Sequence, residues 1–179
     1  MIETRALLRT EIGDIWGIDR AEVIDGVYRL VNGSLQLQEV RYESAGWPPG
    51  QQQADTLQFE DCFDRGGWFH GCFDQGRMVA IVILENRFFG STRDTLQLRF
   101  LHVDRRFRGQ GLGAQLFQAA AEEAWQRGAQ CLYVSATESR NTVDFYLRQG
   151  CGLVHAPDPV LFALEPEDIH LEFRRILRR

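Results

Sequence analysis

The apolar positions of the chain follow two spacings, which predict a mixed order of strands and helices. Residues 68–73 and 78–88 are strongly apolar and flank a turn segment, which indicates an antiparallel hairpin. Residues 96–103 predict the next strand, and apolar residues from Leu112 to Ala124 recur at helical spacing. Residues 131–136 are a continuous apolar run typical of a buried strand. Strand, helix and strand therefore form a βαβ unit with a parallel pair, and the fold class is mixed α+β.

The N-terminal part reads as a strand, a helix, a hairpin and a second helix. Residues 4–9 predict the strand, and the segment from Thr10 predicts a helix that continues irregularly to Ile24. Residues 28–31 and 35–42 predict a hairpin around Asn32 and Gly33, and residues 55–64 a short helix. Trp47-Pro48-Pro49-Gly50 is a loop. From residue 157 the chain reads as extended, with a last strand at 169–173.

The strand at 96–103 has a break in its alternation. Leu96, Leu98 and Phe100 share one face under a strict period of two, whereas Leu101 and Val103 fall on the other. Such a break predicts a β-bulge near Phe100 and Leu101, and a bulge re-aims backbone groups.

A cluster of arginines and glycines follows that strand and precedes the helix. Arg105, Arg106 and Arg108 come first, and glycines then stand at 109, 111 and 113. The first turn of a helix has N–H groups without carbonyl partners and a partial positive charge. Because glycine lacks a Cβ atom, phosphate oxygens can approach these N–H groups closely. The sequence therefore predicts a diphosphate site, although three glycines alone also fit a structural turn.

Two common phosphate-binding patterns can be compared with these residues. A Walker loop requires a lysine after its last glycine, and none follows here. Gly109, Gly111 and Ala114 fit the loose dinucleotide pattern G-x-G-x-x-[GA]. In that pattern the first glycine directly follows a strand, and an acidic residue stands about 20 positions later in the sequence. Five residues intervene here, and the strand at 131–136 ends without an acid, so a nicotinamide enzyme is a distant alternative.

The spacing Arg108-x-x-Gly111-x-Gly113 resembles the acyl-CoA-binding motif [QR]-x-x-G-x-[GA] of the GNAT superfamily of acetyl-CoA-dependent N-acetyltransferases. The resemblance implies a central mixed, mostly antiparallel twisted sheet, with a parallel strand pair at the cofactor site and flanking helices. It also implies that the backbone of the bulged strand faces the acetyl group and pantetheine arm, and that the motif binds the pyrophosphate. The cofactor-binding residues it implies here are Leu101, His102, Val103, Arg108, Gly109, Gln110, Gly111, Leu112 and Gly113.

A second stretch supports the same resemblance. Phe145-Tyr146, with Gly150 four residues after the tyrosine, matches the family pattern N-x-x-A-x-x-[FL]-Y-x-x-x-G-[FY]. Ser139 stands where the family usually has asparagine, and Asn141 lies close by, so both are candidate cofactor contacts. The resemblance implies that Tyr146 is the catalytic residue, assisting the departing thiolate.

No general base can be assigned from the sequence. The glutamate that some family branches carry eleven residues before the motif is Gln97 here, and an amide cannot take a proton. Glu22, Asp61, His70 and His102 are the other candidates, each more often a structural or exposed polar residue.

The composition and cysteine spacing limit which interaction partners and which cellular compartment we expect. The net charge of −5 argues against a dedicated nucleic-acid binder, and the basic tail 173–179 reads as a solvated end. The four cysteines show no C-x-x-C spacing, with Cys131 and Cys151 in apolar contexts, which favours a reducing compartment. No zinc spacing, signal segment or 18-residue apolar run occurs. We therefore expect a cytoplasmic protein without a metal, a nucleic-acid partner or a membrane partner.

The sequence and the resemblance together predict one domain spanning 1–179. Its cofactor-binding core covers about 68–173, and 1–67 forms the acceptor side. We expect an N-acetyltransferase that moves the acetyl group of acetyl-CoA directly to a primary amine of a small molecule or peptide. An acyl-CoA-binding regulatory or interaction module without transfer is the alternative. A homodimer is open, because nothing in the sequence encodes the oligomeric state.

Overall fold

The computed structural model describes residues 1–176 and contains nine strands, four α-helices and two short 3-10 helices within them. The strands are β1 (Ile2–Ala6), β2 (Glu22–Val31), β3 (Ser34–Ser44), β4 (Trp68–Asp74), β5 (Arg77–Leu84), β6 (Thr95–Val103), β7 (Cys131–Ala136), β8 (Gly152–Leu153) and β9 (Ile169–Arg174). The helices are α1 (Gln51–Asp64), α2 (Leu112–Gln126), α3 (Arg140–Arg148) and α4 (Pro159–Leu164). The 3-10 helices are Arg9–Gly17 and Arg105–Phe107.

Seven strands form one mixed sheet in the order β1-β4-β5-β6-β7-β9-β8. Within residues 1–176, β6 and β7 are the one parallel pair, and the other neighbours in this sheet are antiparallel. This confirms the predicted α+β class and the βαβ unit. Strands β2 and β3 form a separate hairpin around Asn32 and Gly33, as predicted.

A hydrophobic core lies on each face of the seven-stranded sheet. Val82 and Leu84 belong to the core that includes α2 and α3, whereas Ile81 and Ile83 belong to the core that includes the first 3-10 helix and α1. Strand β5 is therefore apolar at nearly every position because both of its faces are buried.

The predicted bulge in β6 is present, one residue earlier than expected. Ile83 pairs with Phe100 and Leu84 with Leu98, so Arg99 is the extra residue. Phe100 packs in the core beside α1, whereas Leu101 and Val103 return to the core beside α2. The bulge therefore explains the break in alternation.

The parallel pairing between β6 and β7 is short. It joins residues 95–97 to 131–133, and it stops at Gln97 and Tyr133. Beyond that point the edge of β6 that faces β7 has no strand partner, while β5 continues to pair with the other edge up to Val103. The open segment leaves backbone groups of β6 available to a ligand.

The β2–β3 hairpin lies against the segment that joins β7 to α3. The backbone N–H of Tyr28 donates to the carbonyl of Glu138 at 2.8 Å, and the Tyr28 hydroxyl donates to Asp144 at 2.8 Å. An ion pair of 3.5 Å also joins Arg140 to Asp25. The hairpin therefore borders the open ends of β6 and β7.

Three predictions about the N-terminal half are wrong in detail. The first strand spans Ile2–Ala6 rather than residues 4–9, and Arg9 begins the 3-10 helix. The helix does not continue to Ile24, because the 3-10 helix ends at Gly17 and β2 begins at Glu22. Buried Ile12, Ile15 and Ile18 are spaced by three, which matches the three residues per turn of a 3-10 helix. Helix α1 begins at Gln51, directly after the Trp-Pro-Pro-Gly loop, rather than at residue 55.

Two further predictions are corrected in the second half. Strand β5 ends at Leu84, well before residue 88, and the next side chain, Glu85, binds two arginines. The segment after residue 157 is not extended, because α4 lies within it. Pro159 stands at the start of α4, and the Asp158 carboxylate accepts hydrogen bonds from the N–H groups of Val160 and Leu161.

The cysteines are all free and buried, as predicted for Cys131 and Cys151. Part of the predicted basic tail belongs to β9, and residues 177–179 lie outside the described residues. Among residues 1–176, no helix is long and apolar enough to cross a membrane.

Candidate active site

The three arginines of the glycine-rich segment have different partners. Arg105 pairs with Asp19 at 3.0 Å and Arg106 with Asp104 at 3.1 Å. Arg108 has no carboxylate partner within residues 1–176. Its Nε donates to the carbonyl of Val103 at 3.0 Å and its Nη1 to that of Ala21 at 3.1 Å. Arg108 is therefore the cation of this segment whose charge is not neutralised by a side chain.

Asp104 fixes the end of β6 where this segment begins. Its side chain is completely buried and pairs with Arg77 at 3.0 Å as well as with Arg106. Burial raises the pKa of this carboxyl, but hydrogen bonds from the side chain and backbone of Arg106 and from the backbone of Asp19 lower it more, to about 2. Asp104 is therefore ionised and holds the segment in place.

Gly109 and Gly111 form an open turn before α2. Their φ angles are +74° and +84°, in the left-handed region that favours glycine, and a Cβ atom at either would face open space. Gly111 caps α2 without a side-chain hydrogen bond, and the first turn of α2 contains no acidic residue. The turn therefore leaves open space at the positive end of the α2 dipole, where a phosphate group is stabilised.

Gly113 differs from these two glycines. A Cβ atom there would lie 3.4 Å from the Phe145 ring and 3.6 Å from a methyl group of Val103, which are ordinary van der Waals distances. The position therefore accommodates alanine as well as glycine, as the family motif allows. Of the other motif positions, Leu112 is buried in the core, and exposed Gln110 donates to the carbonyl of Arg106 at 3.3 Å.

The three predicted residues of the bulged strand lie beside the open edge. Leu101 and Val103 point towards α2, whereas His102 points to the opposite face, where its ring lies 4.4 Å from Phe100 and 5.0 Å from Trp47. The strand is therefore regular beyond the bulge. The open edge of β6, the turn at Gly109 and Gly111, and Arg108 are contiguous, and together they fit an extended ligand that ends in a diphosphate.

Tyr146 is buried in α3, packed edge-on against Phe117 and Phe145. Burial raises its pKa, and the nearby groups of Cys151 and Asp168 raise it further, so the phenol stays protonated. No residue within 1–176 forms a hydrogen bond with the hydroxyl, which can donate to a bound ligand.

Ser139 and Asn141 differ in environment. Buried Ser139 caps α3: its hydroxyl accepts from the N–H of Thr142 and donates to the Thr142 hydroxyl at 2.9 Å. Exposed Asn141 donates to Glu22 at 3.4 Å. The Ser139 side chain therefore already has a structural role, and its function as a cofactor contact stays a prediction.

Most of the base candidates from the sequence have local structural partners. Glu22 binds Asn141, Asp61 pairs with Arg65 at 2.8 Å, and His70 stacks on Trp68 at 4.7 Å. Gln97 sits at the last parallel pair. His102 lies against the rings of Phe100 and Trp47 and forms no hydrogen bond with residues 1–176.

The sequence reading missed a set of acidic residues near Tyr146. Asp168 acts on the phenol of Tyr146, and Glu165 and Glu138 act in turn on Asp168. Burial raises the pKa of Asp168 to about 7, with Glu165 and Glu138 adding to the shift. Arg29 of the hairpin lies 3.6 Å from both Glu138 and Glu167. Glu165 and Asp168 share the loop before β9, whereas Glu138 follows β7, so no spacing in the sequence brings Glu138 to them. No group of three or more metal-ligating side chains occurs among residues 1–176.

Comparison with known proteins agrees with this geometry. The family model of the acetyltransferase (GNAT) family matches residues 34–152. A search of curated proteins by sequence found no match. Nourseothricin acetyltransferase is similar in structure, with a TM-score of 0.74 and 19% identity over 97% of this chain and 98% of that one.

Two further solved structures share the fold. One, from Bacillus anthracis strain Ames, is assigned as a streptothricin acetyltransferase and was crystallised in complex with acetyl coenzyme A; it has a TM-score of 0.73 and 14% identity over 98% and 100% of the two chains. The ribosomal-protein-S18-alanine N-acetyltransferase from Escherichia coli has a TM-score of 0.63 and 15% identity over 100% and 97%.

Proposed function

Because the chain belongs to the acetyltransferase (GNAT) family, we propose that it transfers the acetyl group of acetyl-CoA directly to a primary amine. The observation that supports this proposal most is the open edge of β6 next to the turn at Gly109 and Gly111. The edge offers backbone groups to the pantetheine arm and acetyl group, and the turn offers N–H groups to the diphosphate.

Backbone N–H groups of β6 and the Tyr146 hydroxyl can stabilise the charges that develop during acetyl transfer. The backbone N–H groups of the open edge can stabilise the oxyanion that develops on the thioester carbonyl, and one such donor typically contributes about 10² to 10³ in rate. As the C–N bond forms and the C–S bond breaks, the thiolate leaves, and the Tyr146 hydroxyl donates a hydrogen bond to it. Because burial keeps this phenol protonated, hydrogen bonding suits it better than full proton transfer.

The acceptor we propose is an amine that is cationic in solution. Asp168 lies near Tyr146, with Glu165 and Glu138 near Asp168, and these carboxyl groups attract a cation before the reaction. At pH 7 an amine with a pKa near 10.4 must lose a proton at a cost of about 4.6 kcal/mol before it can attack. Asp168, with its pKa near 7, is the carboxyl best suited to take part in that proton transfer. Small-molecule and peptide amines both satisfy this description.

One alternative stays open, an acyl-CoA-binding module without transfer. It is favoured by Gln97, which places an amide where some family branches have a carboxylate, and by the structural role of Ser139. Release of free CoA in the presence of amines separates the two, because a binding module releases none.

The cofactor site is tested by calorimetric titration with acetyl-CoA and, separately, with NAD. We expect micromolar binding of acetyl-CoA and none of NAD. Arg108→Ala should weaken acetyl-CoA binding at least tenfold, because the variant loses a charge-assisted contact with the diphosphate. Gly111→Asp should abolish binding, because it adds both a negative charge and strain at a positive φ angle.

Two matched variants separate charge from structure. Gly111→Asn adds a side chain of the same shape without its charge and should weaken binding less than Gly111→Asp does. Arg105→Ala removes an arginine that is paired with Asp19 and should leave acetyl-CoA affinity within about threefold. A folded wild-type chain that does not bind acetyl-CoA would contradict the proposed function.

A further inference from the structure

His102 is the side chain of the open segment of β6 that points away from the predicted cofactor side. Its neighbours Leu101 and Val103 pack towards α2, below the turn that we assign to the diphosphate. The imidazole lies on the opposite face, with Phe100 and Trp47. The ring therefore lines the face of β6 opposite the turn at Gly109 and Gly111.

The imidazole is held in place by aromatic contacts rather than by hydrogen bonds. Trp47 meets it edge-on, and Trp47 is itself fixed because its indole N–H donates to the carbonyls of Trp16 and Ile18 at 3.2 and 3.1 Å. Neither ring nitrogen of His102 is hydrogen-bonded to a residue within 1–176, and the side chain is only half-buried. Both nitrogens are therefore available to a ligand.

The surroundings keep this ring neutral. Burial lowers the pKa of His102 to about 3, with contributions from the cations Arg20 and Arg108. Arg20 lies over the Trp47 ring, 5.0 Å from its centre. A neutral imidazole offers one acceptor and one donor nitrogen. The same two cations disfavour an ammonium group at this position, whereas they have little effect on an uncharged amine.

We propose that His102 binds the acceptor amine in its uncharged form, accepting a hydrogen bond from the nitrogen that attacks the thioester. The inference rests on the proposed function and adds a specificity residue to it. The acidic residues near Tyr146 attract the ammonium form, and the imidazole receives the amine after its proton has left. The lowered pKa of the ring disfavours its protonated form, so the role we assign to it is positioning by hydrogen bonding rather than base catalysis.

The test compares two substitutions of His102. His102→Phe keeps a flat ring against Trp47 and Phe100 but cannot accept a hydrogen bond, whereas His102→Gln retains an acceptor oxygen.

We expect both variants to bind acetyl-CoA within twofold of the wild type, because the cofactor contacts at this position are backbone groups. His102→Phe should lower kcat/KM for the best amine about tenfold, and should weaken binding of that amine to the CoA complex similarly. His102→Gln should stay within about threefold in both measurements. His155→Phe, at an exposed histidine, is the matched control and should have no effect.

Several results would overturn the inference. Unchanged amine affinity and kcat/KM in His102→Phe would show that the ring does not contact the acceptor. If His102→Gln were as impaired as His102→Phe and lost the acidic limb of the pH profile, the ring would be a base instead. Amine binding to the CoA complex that depends on His102 but gives no transfer would leave the inference standing and contradict the proposed function. A wild-type chain that binds acetyl-CoA but no amine would contradict both.

Discussion

Residues of the same type in the candidate site have different roles because their neighbours differ. Arg105 and Arg106 neutralise Asp19 and Asp104, whereas neighbouring Arg108 binds only carbonyl oxygens and keeps its charge available. Gly111 has a positive φ angle that favours glycine, whereas Gly113 has none and a Cβ atom there would make ordinary contact with Phe145. The chemistry of each side chain is therefore set by the contacts that the fold gives it.

At this scale we predict the effect of removing one hydroxyl. Tyr146→Phe should lower kcat by roughly 10- to 100-fold, because a hydrogen bond to a charged group contributes about 1.5 to 3 kcal/mol, and should leave acetyl-CoA affinity within twofold. Because the pKa of Tyr146 is raised above its ordinary value of about 10, wild-type kcat should show no limb due to this phenol below pH 10. Steady-state kinetics with titration calorimetry measures both. Tyr42→Phe, at an exposed tyrosine, is the control, and an unchanged kcat in Tyr146→Phe would contradict the role given to the phenol.

At the scale of elements, a buried ion network joins α1 to the bulge of β6. Glu85, directly after β5, binds Arg99 at 2.5 Å and Arg65 at 3.3 Å. Arg99 is the extra residue of the bulge, and Arg65 caps the end of α1. The carboxylate therefore holds the bulged residue of β6 against the end of α1.

We predict that Glu85→Gln lowers the free energy of unfolding by about 3 kcal/mol, because it leaves two largely buried arginines without their shared counter-charge. Burial raises the pKa of Glu85, but hydrogen bonds from Arg99 and Arg65 lower it more, so the net shift is downward. Its contribution to stability is therefore present above the unfolded pKa of about 4.3 and is lost as the pH falls below it. Urea unfolding at pH 7 and pH 3 measures both effects. Asp61→Asn removes an exposed partner of Arg65 and should cost less than 1 kcal/mol, and an equal loss in both variants would contradict the prediction.

At the scale of the whole molecule, Asp104 connects the sheet to the N-terminal segment and to the glycine turn. Its carboxylate binds Arg77 of β5, Arg106 of the turn and the backbone N–H of Asp19. Three parts of the chain that are distant in sequence therefore depend on one fully buried charge.

We predict that Asp104→Asn lowers the free energy of unfolding at pH 7 by about 2 kcal/mol. The folded pKa of about 2 lies below the unfolded value of about 3.9, so this stabilisation is present above pH 4 and disappears as the pH falls towards 2. Thermal unfolding between pH 7 and pH 2 should therefore show a smaller pH dependence in the variant than in the wild type. Asp14→Asn, at an exposed residue, is the control, and identical pH dependence in wild type and Asp104→Asn would contradict the prediction.

The sequence by itself determined the features that depend on local periodicity and backbone preference. The apolar runs at 68–73 and 78–84, the broken alternation of 96–103, the helical spacing after Gly111 and the apolar run of β7 predicted the α+β class, the βαβ unit and the bulge, because each reflects which faces of an element are buried. The glycine and arginine spacing carried the resemblance to the family, which the family model confirms. The sequence pattern did not predict helix α4, because its six residues are too few to show a helical period.

Only the tertiary structure decided which charges are neutralised and which side chains meet. The pairing of Arg105 with Asp19 and the approach of Glu138 to Asp168 both join residues from different loops. The position of His102 opposite Trp47 depends on the bulge at Arg99 and on a loop more than 50 residues earlier. Contacts between distant segments, and the pKa shifts that burial imposes, leave no spacing in the sequence, because they depend on how complete elements pack.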